Sequence, residues 1–166
     1  MVFFIAFAAA ALIPAAQPAR AQDEKTADAT AEDSEPRPFD EARNAMADVD
    51  ATLARATERG TRVLLILGGN WCHDSRGLAA KFEDPALAAL LAERYELVWV
   101  DVGRRERNLD IAKRFGVGDL LGTPTVLIVS ADSGLLNAAS VHDWRDAASK
   151  SPEETYAYFL KWSGNE

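Results

Sequence analysis

The sequence contains a single cysteine, Cys72, which is flanked by Trp71 and His73 and followed three positions later by Ser75. A cysteine in the first turn of a helix faces unpaired backbone N–H groups and the positive end of the helix dipole, which favour the nucleophilic thiolate. Protonated His73 would add to this effect, whereas the Asp74 carboxylate would oppose it. Because Ser75 lies at i+3, its hydroxyl can donate a hydrogen bond to the sulfur. These residues predict thiol–disulfide exchange.

The absence of a second cysteine limits what Cys72 can do. No disulfide can form within the chain, so a mixed disulfide on Cys72 must be broken by an outside thiol or by the substrate's own second cysteine. We therefore expect isomerase-like or glutathione-linked exchange, with protein or glutathione thiols and disulfides as partners. The alternative is that Cys72 is a remnant in a non-catalytic binding or chaperone-like module. The helix start, which favours thiolate, makes exchange the preferred hypothesis.

Cys72 must be positioned by the elements on either side of it. The continuous apolar run at 63–67 has the length of a strand buried on both faces, and helical spacing resumes at Leu78. Two similar runs, at 97–100 and 125–129, predict further buried strands. Residues 135–140 are predicted to form an edge strand after a turn signal.

Helical spacing of apolar residues recurs between these strands. It predicts an amphipathic first helix over 39–53, a short helix over 87–91, a helix over 109–115 and a closing helix that starts at Pro152. Strands that alternate with helices indicate a three-layer α/β domain with a partly parallel sheet. The site is expected at the carboxyl ends of its strands.

Two motifs resemble the thioredoxin-like superfamily. The stretch Gly69-Asn70-Trp71-Cys72-His73-Asp74-Ser75, between a strand and a helix, resembles the thioredoxin active-site turn, and Gly122-Thr123-Pro124-Thr125 resembles that family's cis-proline loop. The resemblance covers roughly residues 62–136 and is closest to the branch whose active turn runs Trp-Cys-His. It implies a thioredoxin-like three-layer fold with a mixed central sheet flanked by helices.

The resemblance also assigns roles to residues. It implies a catalytic pair of Cys72 and Ser75, with Ser75 in the place of the second cysteine of Cys-x-x-Cys. A cis Pro124 would place the Thr123 backbone beside the sulfur, where it can pair with an extended substrate peptide. Trp71 would supply an apolar rim and, together with His73, would complete the substrate-binding set.

The sequence departs from the family pattern in two places. Ser75 makes this a monothiol, Cys-x-x-Ser variant, which cannot carry out the dithiol reaction within one chain. The family's oxidoreductases often place a buried carboxylate six residues before the first cysteine, where this chain has Ile66. Proton transfer to a leaving thiol would lack that base.

The first 38 residues differ in composition from the rest. An apolar run to Ala16, followed by a small-x-small ending at Ala21, predicts a signal peptide over 1–21 that is cleaved after Ala21. A membrane-retained helix is the alternative, but the run is short and interrupted by Pro14. Residues 22–38 are predicted to be a disordered acidic linker, and 39–166 a single domain. We expect a periplasmic or secreted protein without a stable membrane span.

The charge of the chain argues against nucleic-acid binding. The formal net charge of −8 argues against nucleic acid as a partner. The one basic cluster, formed by Arg104, Arg105 and Arg107, is interrupted by Glu106 and is interpreted as a solvated loop. We expect a monomer and no cofactor.

Metal binding is a further alternative. Candidate ligand atoms come from Cys72, His73, Asp74 and the distant His142, but their spacing is not that of a known closed site. We therefore predict no metal site.

Overall fold

The computed structural model describes residues 35–164, which belong to one compact unit that begins at Glu35. The predicted signal peptide over 1–21 and most of the predicted linker over 22–38 lie outside the described residues. Within residues 35–164, no helix has both the length and the apolar character needed to cross a membrane.

Three strands form a mixed sheet in the order β2–β1–β3. The strands are β1 (Arg62–Gly68), β2 (Tyr95–Asp101) and β3 (Thr125–Val129). The central strand β1 pairs in parallel with β2 and antiparallel with β3. Residues 63–68 are all buried, which explains the continuous apolar run, because a central strand is covered on both faces. The three predicted buried strands and the mixed sheet are confirmed.

Within residues 35–164, five helices surround the sheet: α1 (Ala45–Arg59), α2 (His73–Lys81), α3 (Pro85–Arg94), α4 (Leu109–Arg114) and α5 (Pro152–Lys161). Side chains cap the starts of α3 and α5. Asp84 accepts hydrogen bonds from the first backbone N–H groups of α3, and Ser151 forms a capping box with Glu154 at the start of α5. Because helices cover both faces of the sheet, the predicted three-layer α/β architecture is confirmed.

The predicted start of the first helix at Phe39 is wrong. The helix begins at Ala45, where the Asn44 side chain accepts a hydrogen bond from Ala47 N and caps the helix. Phe39 is fully buried, and the Asn70 side chain binds both its backbone N–H and its carbonyl. The helical spacing of Phe39 in the sequence was a coincidence, because its ring packs on the opposite face of the sheet from α1.

The predicted edge strand over 135–140 is also wrong. Leu135 makes one isolated bridge to Val129, and Ala138–Ser140 is a turn of 3-10 helix. Between them, buried Asn137 accepts a hydrogen bond from Ile128 N at 2.8 Å and donates one to Val126 O at 2.9 Å. An amide side chain therefore satisfies much of this edge of β3 in place of a paired strand.

Two apolar clusters lie on opposite faces of the sheet. The aliphatic cluster is formed mainly by Val49, Leu53, Val63, Leu65, Val100 and Leu127. The aromatic cluster is formed around Phe39, Phe82, Tyr95, Trp144 and Phe159. Alternate residues of each strand contribute to opposite clusters, as the period of two in a strand requires.

Candidate functional site

Cys72 caps the N-terminus of α2. Its backbone is extended, its N–H donates to Gly69 O at 3.0 Å, and its carbonyl accepts from Arg76 N at 3.1 Å. The side chain makes no capping hydrogen bond to the first turn of the helix. With 9% of its surface exposed, the residue is close to enclosed while its sulfur remains at the positive end of the helix.

The sulfur is close to the loop that precedes β3. Cys72 Sγ lies 3.3 Å from the carbonyl oxygen of Thr123, to which the thiol donates. The Thr123–Pro124 peptide bond is cis, and both residues are buried. The structure therefore brings together Cys72, Thr123 and Pro124, three of the residues singled out from sequence.

Trp71 joins the turn to the loop after β2. Its indole Nε1 donates to the carbonyl of Gly103 at 2.8 Å, which fixes the ring. The residue is 43% exposed, and the guanidinium carbon of Arg104 lies 4.9 Å from the ring centroid. Such a distance is typical of a cation–π contact. The ring thus lies beside the cysteine as an exposed apolar surface under a cation.

Ser75 lies beneath the turn and is fully buried. Its hydroxyl has no hydrogen-bond partner among the described residues. A methyl group added at Gly68 would come within 2.6 Å of the Ser75 Oγ and within 2.7 Å of the Phe39 ring, so the hydroxyl lies against this tightly packed floor. It makes no hydrogen bond to the sulfur in this structure, and a rotation about χ1 would be needed to form one.

A network on the other side of the turn was not found from sequence. Arg76, whose side chain is 7% exposed, donates to Glu35 at 2.8 Å and to the carbonyl of Asn70 at 3.0 Å. Asn70 in turn binds the backbone of Phe39. Asn70 was recognisable as a turn residue, but nothing distinguished Glu35 from its many acidic neighbours in the sequence. This network ties the turn to the segment that precedes α1.

The charged neighbours of Cys72 are directed to other partners. His73 is exposed, and its Nδ1 lies 3.9 Å from the Glu35 carboxylate. Asp74 accepts a hydrogen bond from Ala148 N at 3.0 Å, which attaches α2 to the 3-10 turn at Ala147–Ser149. Ile66 is fully buried in β1, so a hydrocarbon side chain occupies the position where the family often has a carboxylate.

The candidate metal ligands do not assemble. Within residues 35–164, no three His, Cys, Asp or Glu side chains come together as a possible metal site. His142 instead lies beside β3, with its Nδ1 3.3 Å from Thr125 Oγ1. Burial and the nearby Arg145 lower the pKa of His142, against an opposing effect of Asp143, so the ring is neutral at neutral pH.

Comparisons with known proteins define the class. A thioredoxin-like family model matches residues 44–131, which is more than half of the 166-residue chain. The chain belongs to this thioredoxin-like family, and the resemblance inferred from its two motifs is confirmed.

Solved structures of two other proteins are similar. A disulphide isomerase from Xylella fastidiosa Temecula1 is 30% identical, with a TM-score of 0.70 over 76% of this chain and 96% of that one. A thioredoxin from Thermus thermophilus is 20% identical, with a TM-score of 0.47 over 68% of this chain and 81% of that one. No curated protein matches the sequence.

Proposed function

We propose that this protein acts in thiol–disulfide exchange through a mixed disulfide on Cys72. Family membership and the similarity to a disulphide isomerase support thiol–disulfide redox chemistry in general terms. The observation that carries the specific proposal is the position of Cys72 Sγ, at the start of α2 and 3.3 Å from the Thr123 carbonyl.

The proposed reaction has two stages. The Cys72 thiolate attacks one sulfur of a substrate disulfide, so that a Cys72–substrate disulfide forms, the substrate disulfide breaks, and the second substrate sulfur leaves as a thiolate. In one route, a different cysteine of the substrate attacks the substrate sulfur of the mixed disulfide, so that a new substrate disulfide forms and Cys72 leaves as a thiolate. This route rearranges substrate disulfides without net oxidation or reduction. In the other route, an outside thiol attacks the Cys72 sulfur and releases the reduced substrate, and a second outside thiol then attacks that adduct, which frees Cys72 and forms a disulfide of the two outside thiols, glutathione among the candidates.

The surroundings of the sulfur suit these steps. While Cys72 is protonated, its thiol occupies the Thr123 carbonyl, and loss of the proton frees that oxygen to accept an N–H from an extended substrate peptide. The hydroxyl of Ser75 has a proton that it donates to no described residue, so a χ1 rotation would let it donate to the thiolate or to the mixed disulfide. The exposed ring of Trp71 offers an apolar contact for the substrate, and His73 lines the outer edge of the turn.

The cellular setting is part of the proposal. The apolar run and small-x-small ending within residues 1–21 support export, after which the domain would meet protein disulfides in the periplasm or outside the cell. Protein or glutathione disulfides are the proposed reaction partners of a monomeric protein. The near-complete enclosure of Cys72 favours the second candidate, a non-catalytic binding module.

The two candidates are separated by trapping the mixed disulfide. The mature protein is incubated with glutathione disulfide and, separately, with a peptide disulfide, and intact mass spectrometry then follows the adduct. We expect an adduct on the native protein and none on Cys72→Ser, and we expect Ser75→Cys to gain dithiol reductase activity. The same protein in urea provides the control for an intact thiol. Modification in urea but not in buffer would overturn the exchange proposal and support the binding module.

A further inference from the structure

Arg104 and Arg105 lie in the loop after β2, near the Trp71 side of the proposed site. Both residues are exposed, and within residues 35–164 neither forms an ion pair. Arg107, in the same loop, differs because it contacts Glu41 at 3.2 Å and Asp101 at 3.5 Å. The basic cluster is therefore not a uniform solvated loop: within residues 35–164, Arg107 forms ion pairs, whereas Arg104 and Arg105 form none.

The loop that carries these arginines contacts both sides of the proposed site. Arg104 lies over the ring of Trp71, the residue that precedes Cys72 in the sequence. Arg105 donates to the carbonyl of Leu120 at 3.4 Å, in the segment that leads to Thr123. One guanidinium thus contacts the cysteine turn, and the other contacts the segment that leads to the proline loop.

A shallow groove accompanies the two arginines. It encloses about 290 Å³ and is lined by Arg104, Arg105, Leu109, Asp119 and Leu120. Asp119 places one carboxylate on the wall, but it is not within ion-pairing distance of either guanidinium. Leu121, next to Leu120 in the sequence, is 60% exposed, so both Leu121 and Trp71 offer apolar surface.

We propose that Arg104 and Arg105 form a carboxylate-binding subsite that selects polypeptide disulfides with Asp or Glu close to the reacting cysteine. This inference rests on the proposed exchange at Cys72. The chain as a whole carries a net charge of −8, which disfavours acidic polypeptides, so two guanidinium groups that form no ion pair within residues 35–164 supply positive charge near the Trp71 side of the site. Arginine also binds carboxylates through two parallel hydrogen bonds, which fixes the orientation of the ligand.

A polypeptide suits this surface better than a small thiol. An extended segment paired with the Thr123 backbone would direct alternate side chains to opposite sides. Some of these side chains would contact Trp71 and Arg104, and others would contact Leu121. The polypeptide would then cover both apolar surfaces. A small thiol such as glutathione has two carboxylates for the arginines but cannot cover both apolar surfaces. The subsite itself forms and breaks no covalent bond.

The test compares peptides that differ in one residue. Three peptides carry a thiopyridyl mixed disulfide on one cysteine and differ in having Glu, Gln or Lys beside it, and the released thiopyridone reports the rate of attack by Cys72. We expect the Glu peptide to react about 5- to 10-fold faster than the Gln peptide at low ionic strength, with the Lys peptide slowest. The preference should shrink at high salt as the charges are screened.

Variants assign the preference to the arginines. Arg104→Gln and Arg105→Gln should each reduce the Glu-to-Gln rate ratio by about 2- to 3-fold, and the double variant should bring it close to one. Arg104→Lys should retain part of the ratio. Arg114→Gln is the matched control, because Arg114 also lies over an aromatic ring, that of Phe115, and its loss changes the net charge equally. This control should keep the ratio of the unmodified protein.

The outcomes separate this inference from the proposed function. If Cys72 reacts with none of the peptides, the exchange proposal itself fails. If all the peptides react but the ratio is near one, or survives in the double variant, the subsite is overturned while exchange stands. A thiopyridyl disulfide of glutathione that reacts faster than the Glu peptide, in an arginine-dependent way, would overturn the choice of a polypeptide.

Discussion

The sheet face that carries the aliphatic cluster is covered by α1 and α4, with Val49 and Ile111 among the residues that pack on it. The opposite face is covered by α2, α3 and α5 and also by segments without regular structure, which contribute Phe39 and Trp144. On this second face, aromatic rings meet at centroid distances of 4.9–6.4 Å, mostly edge to face. The proposed site belongs to this second face, because α2 packs there.

This difference shows how the cysteine turn is supported. Helices on a sheet bury surface through regular spacing, so one residue can be replaced with mainly local consequences. The aromatic face instead depends on single large side chains that join distant segments, as Phe39 does when it contacts Trp99 at 5.1 Å and hydrogen-bonds to Asn70. Damage on this face should therefore reach Cys72, whereas damage on the aliphatic face should not.

The largest effects are expected from truncating one core residue on each face. Phe39→Ala should lower the free energy of unfolding by about 3–5 kcal/mol, and Leu65→Ala by about 2–5 kcal/mol, because each leaves a cavity at a fully buried position. Urea unfolding measures both. Only Phe39→Ala should also speed the alkylation of Cys72 in the folded protein, since Phe39 lies under the turn. Equal acceleration in both variants would contradict the distinction between the faces.

An intermediate effect is expected from Glu35→Gln. This change removes a carboxylate that accepts from Arg76 at 2.8 Å, and the Arg76 side chain is 7% exposed. Because Glu35 is itself partly exposed, the loss should be about 1–2 kcal/mol, below that of a fully buried ion pair. Thermal unfolding of Glu35→Gln, with Glu41→Gln as a control for an exposed pair to Arg107, measures the difference. Equal losses would show that the Glu35 contact contributes no more than a surface pair.

A smaller effect, of opposite sign, is expected from Ser75→Ala. Removing a buried hydroxyl that has no hydrogen-bond partner in the part of the chain that the structure describes should raise the free energy of unfolding by about 1 kcal/mol. If the hydroxyl assists the thiolate as proposed, the same variant should form the mixed disulfide more slowly. Chemical denaturation and adduct kinetics are measured on one sample. A variant that gains stability without losing rate would show that Ser75 takes no part in the reaction.

The smallest effect concerns pH and lies away from the turn. The pKa of His142 is lowered in the folded protein, mainly by burial, so the unfolded chain binds a proton more readily. Stability from this group is therefore complete above the unfolded value near 6.5 and declines as the pH falls below it. His142→Asn should reduce the stability change between pH 7.5 and 5.5 by no more than about 0.5 kcal/mol. An unchanged pH profile of urea midpoints would exclude His142 as a contributor.

The sequence was informative where a short-range pattern determines structure. The three buried strands follow from apolar runs, and the positions of Cys72 and Pro124 follow from local motifs. Phe39 was misassigned because its spacing matches a helix, whereas its contacts are made with Asn70 and Trp99 far along the chain. The edge strand was misassigned because the amide of Asn137 replaces backbone pairing, which no periodicity reveals. The Glu35–Arg76 contact was missed because it joins distant parts of the chain and no periodicity distinguishes Glu35 from its acidic neighbours.

The contacts that shape the turn also bear on the order of folding. The Cys72–Thr123 contact spans 51 residues, Arg76–Glu35 spans 41 and Trp71–Gly103 spans 32. Closing such loops costs chain entropy that is offset only once the sheet is formed, so these contacts should complete late. Until β3 has paired with the sheet, the thiol of a newly made chain is not enclosed and lacks the Thr123 carbonyl as its partner. During that interval Cys72 would react with any nearby disulfide. Its selectivity among disulfides would therefore be acquired only when folding encloses the thiol.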